Sequence, residues 1–118
     1  MNEDLIISIP CVGKTNFNWR TLFIYEDRLV MQDDDKSTIV FDEKYENMVS
    51  LSHKYASSLL NAAFVLELTN GEKIDINLDT GHTPEGKGLL FRYNPAMSQI
   101  SKTLPGFINK LIAKSKNA

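Results

Sequence analysis

The stretch AFVLELTNGEKIDINLD, residues 63–79, decides the fold class. Phe64, Leu66 and Leu68 alternate with Val65, Glu67 and Thr69; after the break, Ile74, Ile76 and Leu78 alternate with Asp75, Asn77 and Asp79. A period of two sends successive side chains to opposite sides of a strand, so each run has one apolar and one polar face. Between the runs stands Asn70-Gly71, the pair favoured in two-residue hairpin turns because both central positions need positive φ. The stretch therefore predicts an antiparallel hairpin.

The same texture extends upstream. DLIISIPCV reads as a first strand that stops near Pro10 and Gly13, and KTNFN as a polar turn. WRTLFIYE and RLVMQ are two strands joined tightly at Glu26-Asp27, and DDDKS is a charged turn whose adjacent carboxylates need water. TIVF is a short fourth strand and NMVSLSHKY a fifth, carrying Met48, Val49, Leu51 and His53. ASSLLNA reads equally as loop or helical turn. With the hairpin, the count is seven antiparallel strands over about residues 4–79.

Residues 80–94 hold three glycines and a proline and read as a loop. Beyond them the period changes. Met97, Ile100, Leu104, Ile108 and Leu111 recur at spacings of three and four, with Phe107 and Ile112 beside them, which marks one face of a helix over 95–115. Asn94-Pro95 suits its start. Pro105 deletes a backbone bond, so either a kink or two shorter helices are expected there. Seven twisted strands curl into a sandwich or partly open barrel, and the helix can plug an open end. At 118 residues the chain is expected to form one domain, 1–118.

The apolar fraction of 42% and charged fraction of 24% are those of an ordinary globular protein. A net charge of −2 argues against a general nucleic-acid or membrane binder. Its distribution is uneven: residues 26–46 hold eight acids against three bases, and 95–118 hold four lysines and no acid. The opening MNEDLIISIP has no leader pattern, and no apolar run approaches the roughly 20 residues of a membrane span. Lone Cys11 in an apolar run reads as a buried small hydrophobe. A cytoplasmic location is expected.

Several short motifs lack the context their chemistry needs. Asp79-Thr80-Gly81 is the aspartic-protease triplet, but that chemistry needs paired carboxylates, and a helical segment follows where a long β segment should stand. GHTPEGKG, residues 81–88, falls one residue short of a phosphate-binding loop; Gly88 lacks the magnesium-binding hydroxyl, and Glu85 sits where phosphate would lie. Asp33, Asp34 and Asp35 lack the spacing, glycine and terminal glutamate of a calcium loop. His53, His82 and Cys11 are too scattered for zinc. Ser52 and His53 are strand neighbours, so they point apart. No catalytic, metal or cofactor site is assigned. Two candidate binding patches remain: the aromatic–basic set Lys14, Trp19 and Arg20, and a partner groove at Phe107 and Leu111 on the final helix.

The order of elements resembles the pleckstrin-homology superfold. TLFIYEDRLVM (21–31), STIVFDEKYENMVSLS (37–52), VLELTNGEKIDINL (65–78) and GFINKLIAK (106–114) are similar to segments of bacterial pleckstrin-homology-like and GRAM-like domains. The resemblance implies a mainly β fold capped by a C-terminal helix. It also implies a binding or scaffold module, because relatives accept an extended peptide beside a strand edge and this helix. The basic K-x(n)-[KR]-x-R pattern of lipid-binding relatives is incomplete: Lys14 and Arg20 fit, but Leu22 stands in the last basic position. The tryptophan of the family's closing helix is absent, and Phe107 is expected to take its packing role. Three functions stay open: protein–protein contact, including self-association through a sheet edge; anionic-lipid recognition by Lys14, Arg20 and the basic helix; and a small enzyme.

Overall fold

The computed structural model describes residues 5–12, 19–33, 38–54, 63–78 and 95–117. The protease-like triplet, the near phosphate loop, Lys14, Asp34, Asp35, His82 and Asn94 lie outside them, as do the whole of ASSLLNA (56–62) and the 80–94 segment.

The strands are β1 (Leu5–Val12), β2 (Trp19–Tyr25), β3 (Arg28–Asp33), β4 (Ile39–Lys44), β5 (Met48–His53), β6 (Ala63–Leu68) and β7 (Lys73–Leu78). Helix α1 spans Pro95–Lys116. All seven strands join one antiparallel sheet in the order β4-β3-β2-β1-β7-β6-β5. The two end strands do not pair with each other, so the sheet stays open. Buried residues of β1–β4 and of β5–β7 share one core cluster, so the two halves face each other across it. The chain is mainly β with a closing helix, as the periodicity predicts. β1 runs through Pro10 to Val12, the last residue of the expected DLIISIPCV strand before Gly13.

The decisive hairpin is present with a different turn. Phe64 pairs with Ile76 and Leu66 with Ile74. The connection, however, has three residues, Thr69–Gly71: Leu68 N donates to Glu72 O at 2.9 Å, and Gly71 N to Leu68 O at 3.0 Å. Only Gly71 need adopt the left-handed conformation in such a loop, and its φ is 96°. Asn70 acts through its side chain, whose Oδ1 accepts from Glu72 N at 2.9 Å. Asn70-Gly71 stands in the turn as the sequence predicts, and the turn is one residue longer.

Three register shifts explain where alternation breaks. Each leaves one unpaired extra residue: Ile6 between Leu5 and Ile7, Val40 between Ile39 and Phe41, and Val49 between Met48 and Ser50. All three are exposed aliphatics. A bulge resets the phase, so Met48 and Leu51 both face the core although three positions separate them.

Helix α1 runs unbroken through Pro105. Leu104, Ile108 and Ile112 are buried, with Ile100 and Leu111 packed against the core beside them. Phe107 is 39% exposed and does not take the packing role expected of it. Ile112 instead completes the apolar stripe.

A single 3₁₀ turn, Tyr45–Asn47, links β4 to β5. Tyr45 is fully buried, and its hydroxyl donates to the carbonyl of Tyr25 at 2.6 Å. Burial, and secondarily the nearby Asp27 charge, push its phenol pKa well above the ordinary value. An acid whose native pKa is raised resists ionising in the fold. Its contribution is therefore intact below the unfolded value of about 10 and is lost as pH climbs above it. Tyr45→Phe is expected to cost about 1–2 kcal/mol at neutral pH through the lost bond. The same variant should show a shallower alkaline fall in stability than the parent, read from urea melts between about pH 8 and 11.

Candidate functional site

The long seam where α1 meets the outer edge of β5 holds the most specific polar geometry among the described residues. In an antiparallel edge strand, alternate residues turn their N–H and C=O away from the partner strand. Lys54 N bonds back to Ala63 O across the β5–β6 ladder at 2.8 Å, which fixes Leu51 as outward-facing by parity. Its backbone is met by one side chain. Leu51 N donates to Asn109 Oδ1 at 2.9 Å, and Asn109 Nδ2 donates to Leu51 O at 3.0 Å. The carboxamide thus pairs with Leu51 as a neighbouring strand's peptide would.

The second tie is at His53. Pro105 has no N–H, so the carbonyl four residues earlier, that of Ser101, loses its helical donor. His53 Nε2 lies 2.9 Å from Ser101 O and is its donor in the tautomer protonated there. The His53 ring also packs on Phe64, with centroids 5.0 Å apart. Helix disruption by Pro105 is thereby offset from across the seam, which accounts for the unbroken α1. Ser101, Pro105 and Asn109 follow at intervals of four and lie along one helical stripe. The Ser101 hydroxyl is buried beside this seam with no hydrogen-bond partner.

Phe107 and Leu111 sit elsewhere. They are also four apart, but on a flank of α1 turned away from the Asn109 stripe. Leu111 is half-buried and lines a cleft of about 460 Å³ with Glu26, Asp27, Lys44, Glu46, Lys114 and Ser115. Arg28 stands next to this cleft, bonded to Asp27 and Asp42 at 3.4 Å each. The hydrogen bond that Arg28 donates to Asp27, with the charges of both carboxylates, raises its already high pKa. Both signs of charge therefore meet around an apolar floor. Such a cleft favours no simple ion and suits a mixed surface.

Trp19 and Arg20 are adjacent on β2, and the strand period sends them to opposite faces. Arg20 lies on the side of buried Leu22 and Ile24, paired across to Asp33 and Cys11. Its Nε is buried and unpartnered. Trp19 lies on the outer side with Phe23 and Tyr25, whose rings stack at 6.5 Å. The structure does not bring Trp19 and Arg20 into one patch. Cys11 is buried and makes a weak S–H contact to Ile9 O at 3.6 Å. Among the described residues no three His, Cys, Asp or Glu gather as a metal site, and no helix is long and apolar enough to cross a membrane.

Asn109 and His53 escaped the sequence reading as a pair. The available signal was Pro105: it predicts an orphan carbonyl at residue 101, and a polar residue at 109 lies one turn beyond on the same stripe.

Comparison with solved structures identifies the fold. The chain superposes on the structure of human RhoA in complex with the DH/PH fragment of PDZRhoGEF with a TM-score of 0.61 and 13% identity. That match covers 98% of this chain and 29% of the other, so the chain spans under a third of it. It also superposes on the C-terminal domain of an unknown protein from Leishmania infantum, with a TM-score of 0.51 and 20% identity over 62% of this chain and 68% of that one. No family model and no curated protein matches the sequence. At these identities the likeness speaks for the fold alone, and that fold is pleckstrin-homology-like.

Proposed function

We propose that this chain is a non-enzymatic docking module whose partner is a protein, a second copy of itself included. The observation that carries the reading is its surface. Leu5, Ile6, Ile7, Ile39, Val40, Val49 and Phe107 are large apolar side chains left exposed on a pleckstrin-homology-like frame. Leu5–Ile7 and Ile39-Val40 are runs of sequence neighbours, and burying exposed apolar surface of this kind against another macromolecule gains roughly 25 cal/mol per Å². The similarity to a chain solved in complex with human RhoA agrees with a protein partner. The bacterial or GRAM-like subtype and a cytoplasmic location belong to the same proposal.

The peptide groove known beside a strand edge and the closing helix is a poor choice here. Asn109 already occupies the backbone of Leu51, so a peptide strand would have to displace it. The cleft floored by Leu111 is the better helix-side surface.

Anionic-lipid recognition is the second reading, favoured by the exposed Lys102, Lys110, Lys114 and Lys116 of α1. Arg20 adds little to it, because it turns inward beside Asp33. Sedimentation with phosphatidylserine and phosphoinositide vesicles at low and high salt separates the two. The protein is expected to remain in the supernatant at both. Salt-sensitive pelleting that disappears in Lys14→Glu/Arg20→Glu, or in Lys110→Glu/Lys114→Glu, would transfer the function to lipid.

A further inference from the structure

We propose that the flank of α1 formed by Phe107, Lys110, Leu111 and Lys114 docks a segment of a partner protein in which acidic and apolar side chains alternate. The inference deepens the protein-docking reading above, rests on it, and names the chemistry of the partner.

All the charge on α1 has one sign. Its 22 residues carry Lys102, Lys110, Lys114 and Lys116 and no acid. The four lysines are exposed, and none makes an ion pair among the described residues. Lys110 and Lys114 stand four apart, a spacing at which like charges destabilise a helix, and α1 has no acid to offset them. Phe107 precedes Lys110 by three positions and Leu111 by four, so helical geometry keeps all four side chains on one flank. Phe107 is exposed there although Leu104, Ile108 and Ile112 already seal the core. The flank thus offers an aromatic ring, a half-buried leucine and two cations without counter-charge. A segment with apolar side chains between carboxylates complements each of them.

The neighbouring cleft gives that segment an orientation. Leu111 and Lys114 border it on the helix side; Glu26, Asp27 and Glu46 border it opposite, together with Lys44. An apolar side chain of the partner rests on Leu111, and its acids turn toward Lys110 and Lys114. The side that faces the β2–β3 turn carries no acid.

The same cleft disfavours other anionic occupants. Glu26, Asp27 and Glu46 are exposed at it, so a flat anionic membrane laid on Lys114 meets them too, whereas a narrow segment follows the helix and avoids them. A second copy would present its acids mixed with bases: Arg28 holds Asp27 and Asp42, and Lys44 follows Glu43.

Four side chains make a contact small against the ~800 Å² per partner of a standard interface, so a dissociation constant on the order of 10–100 µM is expected. The probe is a short fluorescein-labelled peptide of repeated Glu-Leu-Asp-Phe, titrated with the full chain and read by anisotropy. The parent should bind it, more weakly as salt rises. Lys110→Glu/Lys114→Glu should weaken binding about tenfold or more, since two attractions become repulsions. Phe107→Ala should weaken it roughly threefold. Lys73→Glu/Lys102→Glu makes the same change in net charge away from the flank and should bind within about twofold of the parent.

A parent that does not bind the peptide overturns the proposal, as does a Lys110→Glu/Lys114→Glu variant that binds like the parent. Sedimentation equilibrium that shows a mass above 13.4 kDa, lost in that variant and without peptide binding, overturns it in favour of a second copy. Anionic vesicles separate this failure from that of the docking reading. A parent that binds neither peptide nor vesicles loses the flank and keeps the docking reading, and one that pellets with vesicles loses both.

Discussion

Ile108→Ala is expected to lower the unfolding free energy by about 2–5 kcal/mol. Ile108 is completely buried, midway along α1 between Leu104 and Ile112. Truncation to alanine removes apolar surface from the core and leaves a cavity that the surrounding strands cannot collapse to fill. The cavity would open where α1 covers the sheet, so the damage falls on helix docking as well as on the core. Urea melts should show a lower midpoint at nearly constant slope, and the thermal midpoint should drop by roughly 4 °C per kcal/mol. Phe107→Ala is the control. One position away but on the exposed flank, it should change stability by no more than about 0.5 kcal/mol. Equal losses at 107 and 108 would show that α1 packs in another rotation.

Asn109→Leu is expected to lower the unfolding free energy by about 2–3 kcal/mol. Leucine keeps much of the volume but withholds both hydrogen bonds, leaving the outward N–H and C=O of Leu51 facing an apolar side chain. An unmade bond at a partly buried site costs more than a made one contributes, and here two are removed together. Amide exchange gives a local readout: Leu51 should lose protection about tenfold for each 1.4 kcal/mol. Asn109→Asp refines the assignment. Its carboxylate can accept from Leu51 N but cannot donate to Leu51 O, so the variant should be weaker than the parent at neutral pH. In acid below roughly pH 4 the carboxyl carries a proton and can do both, and part of the deficit should return. An Asn109→Leu variant with unchanged Leu51 exchange would mean that the seam is held by packing alone.

Much of the architecture was legible before any coordinates. The alternations around Phe64–Leu68 and Ile74–Leu78, the tight Glu26-Asp27 connection and the apolar stripe through Ile108 all reappear as β6, β7, the β2–β3 turn and the buried face of α1. The candidate site was read less well, for two different reasons. Trp19 and Arg20 stand on opposite faces of β2, as neighbours on a strand do, which a period of two already implies. Asn109 failed for lack of any local sign. It looks like an ordinary polar residue of an exposed helix face until β5 is placed beside it.

Hydrophobic spacing is a property of neighbours in the chain, and so the sequence by itself determined which segments extend, which coil, and which side of each turns inward. Only the tertiary structure decided where the phase slips at Ile6, Val40 and Val49, how α1 survives Pro105, and which sheet edge is closed. Those outcomes depend on finding partners for backbone groups. The partner of Leu51 lies 58 residues away, and that of Ser101 O lies 48 away, beyond the reach of any periodicity.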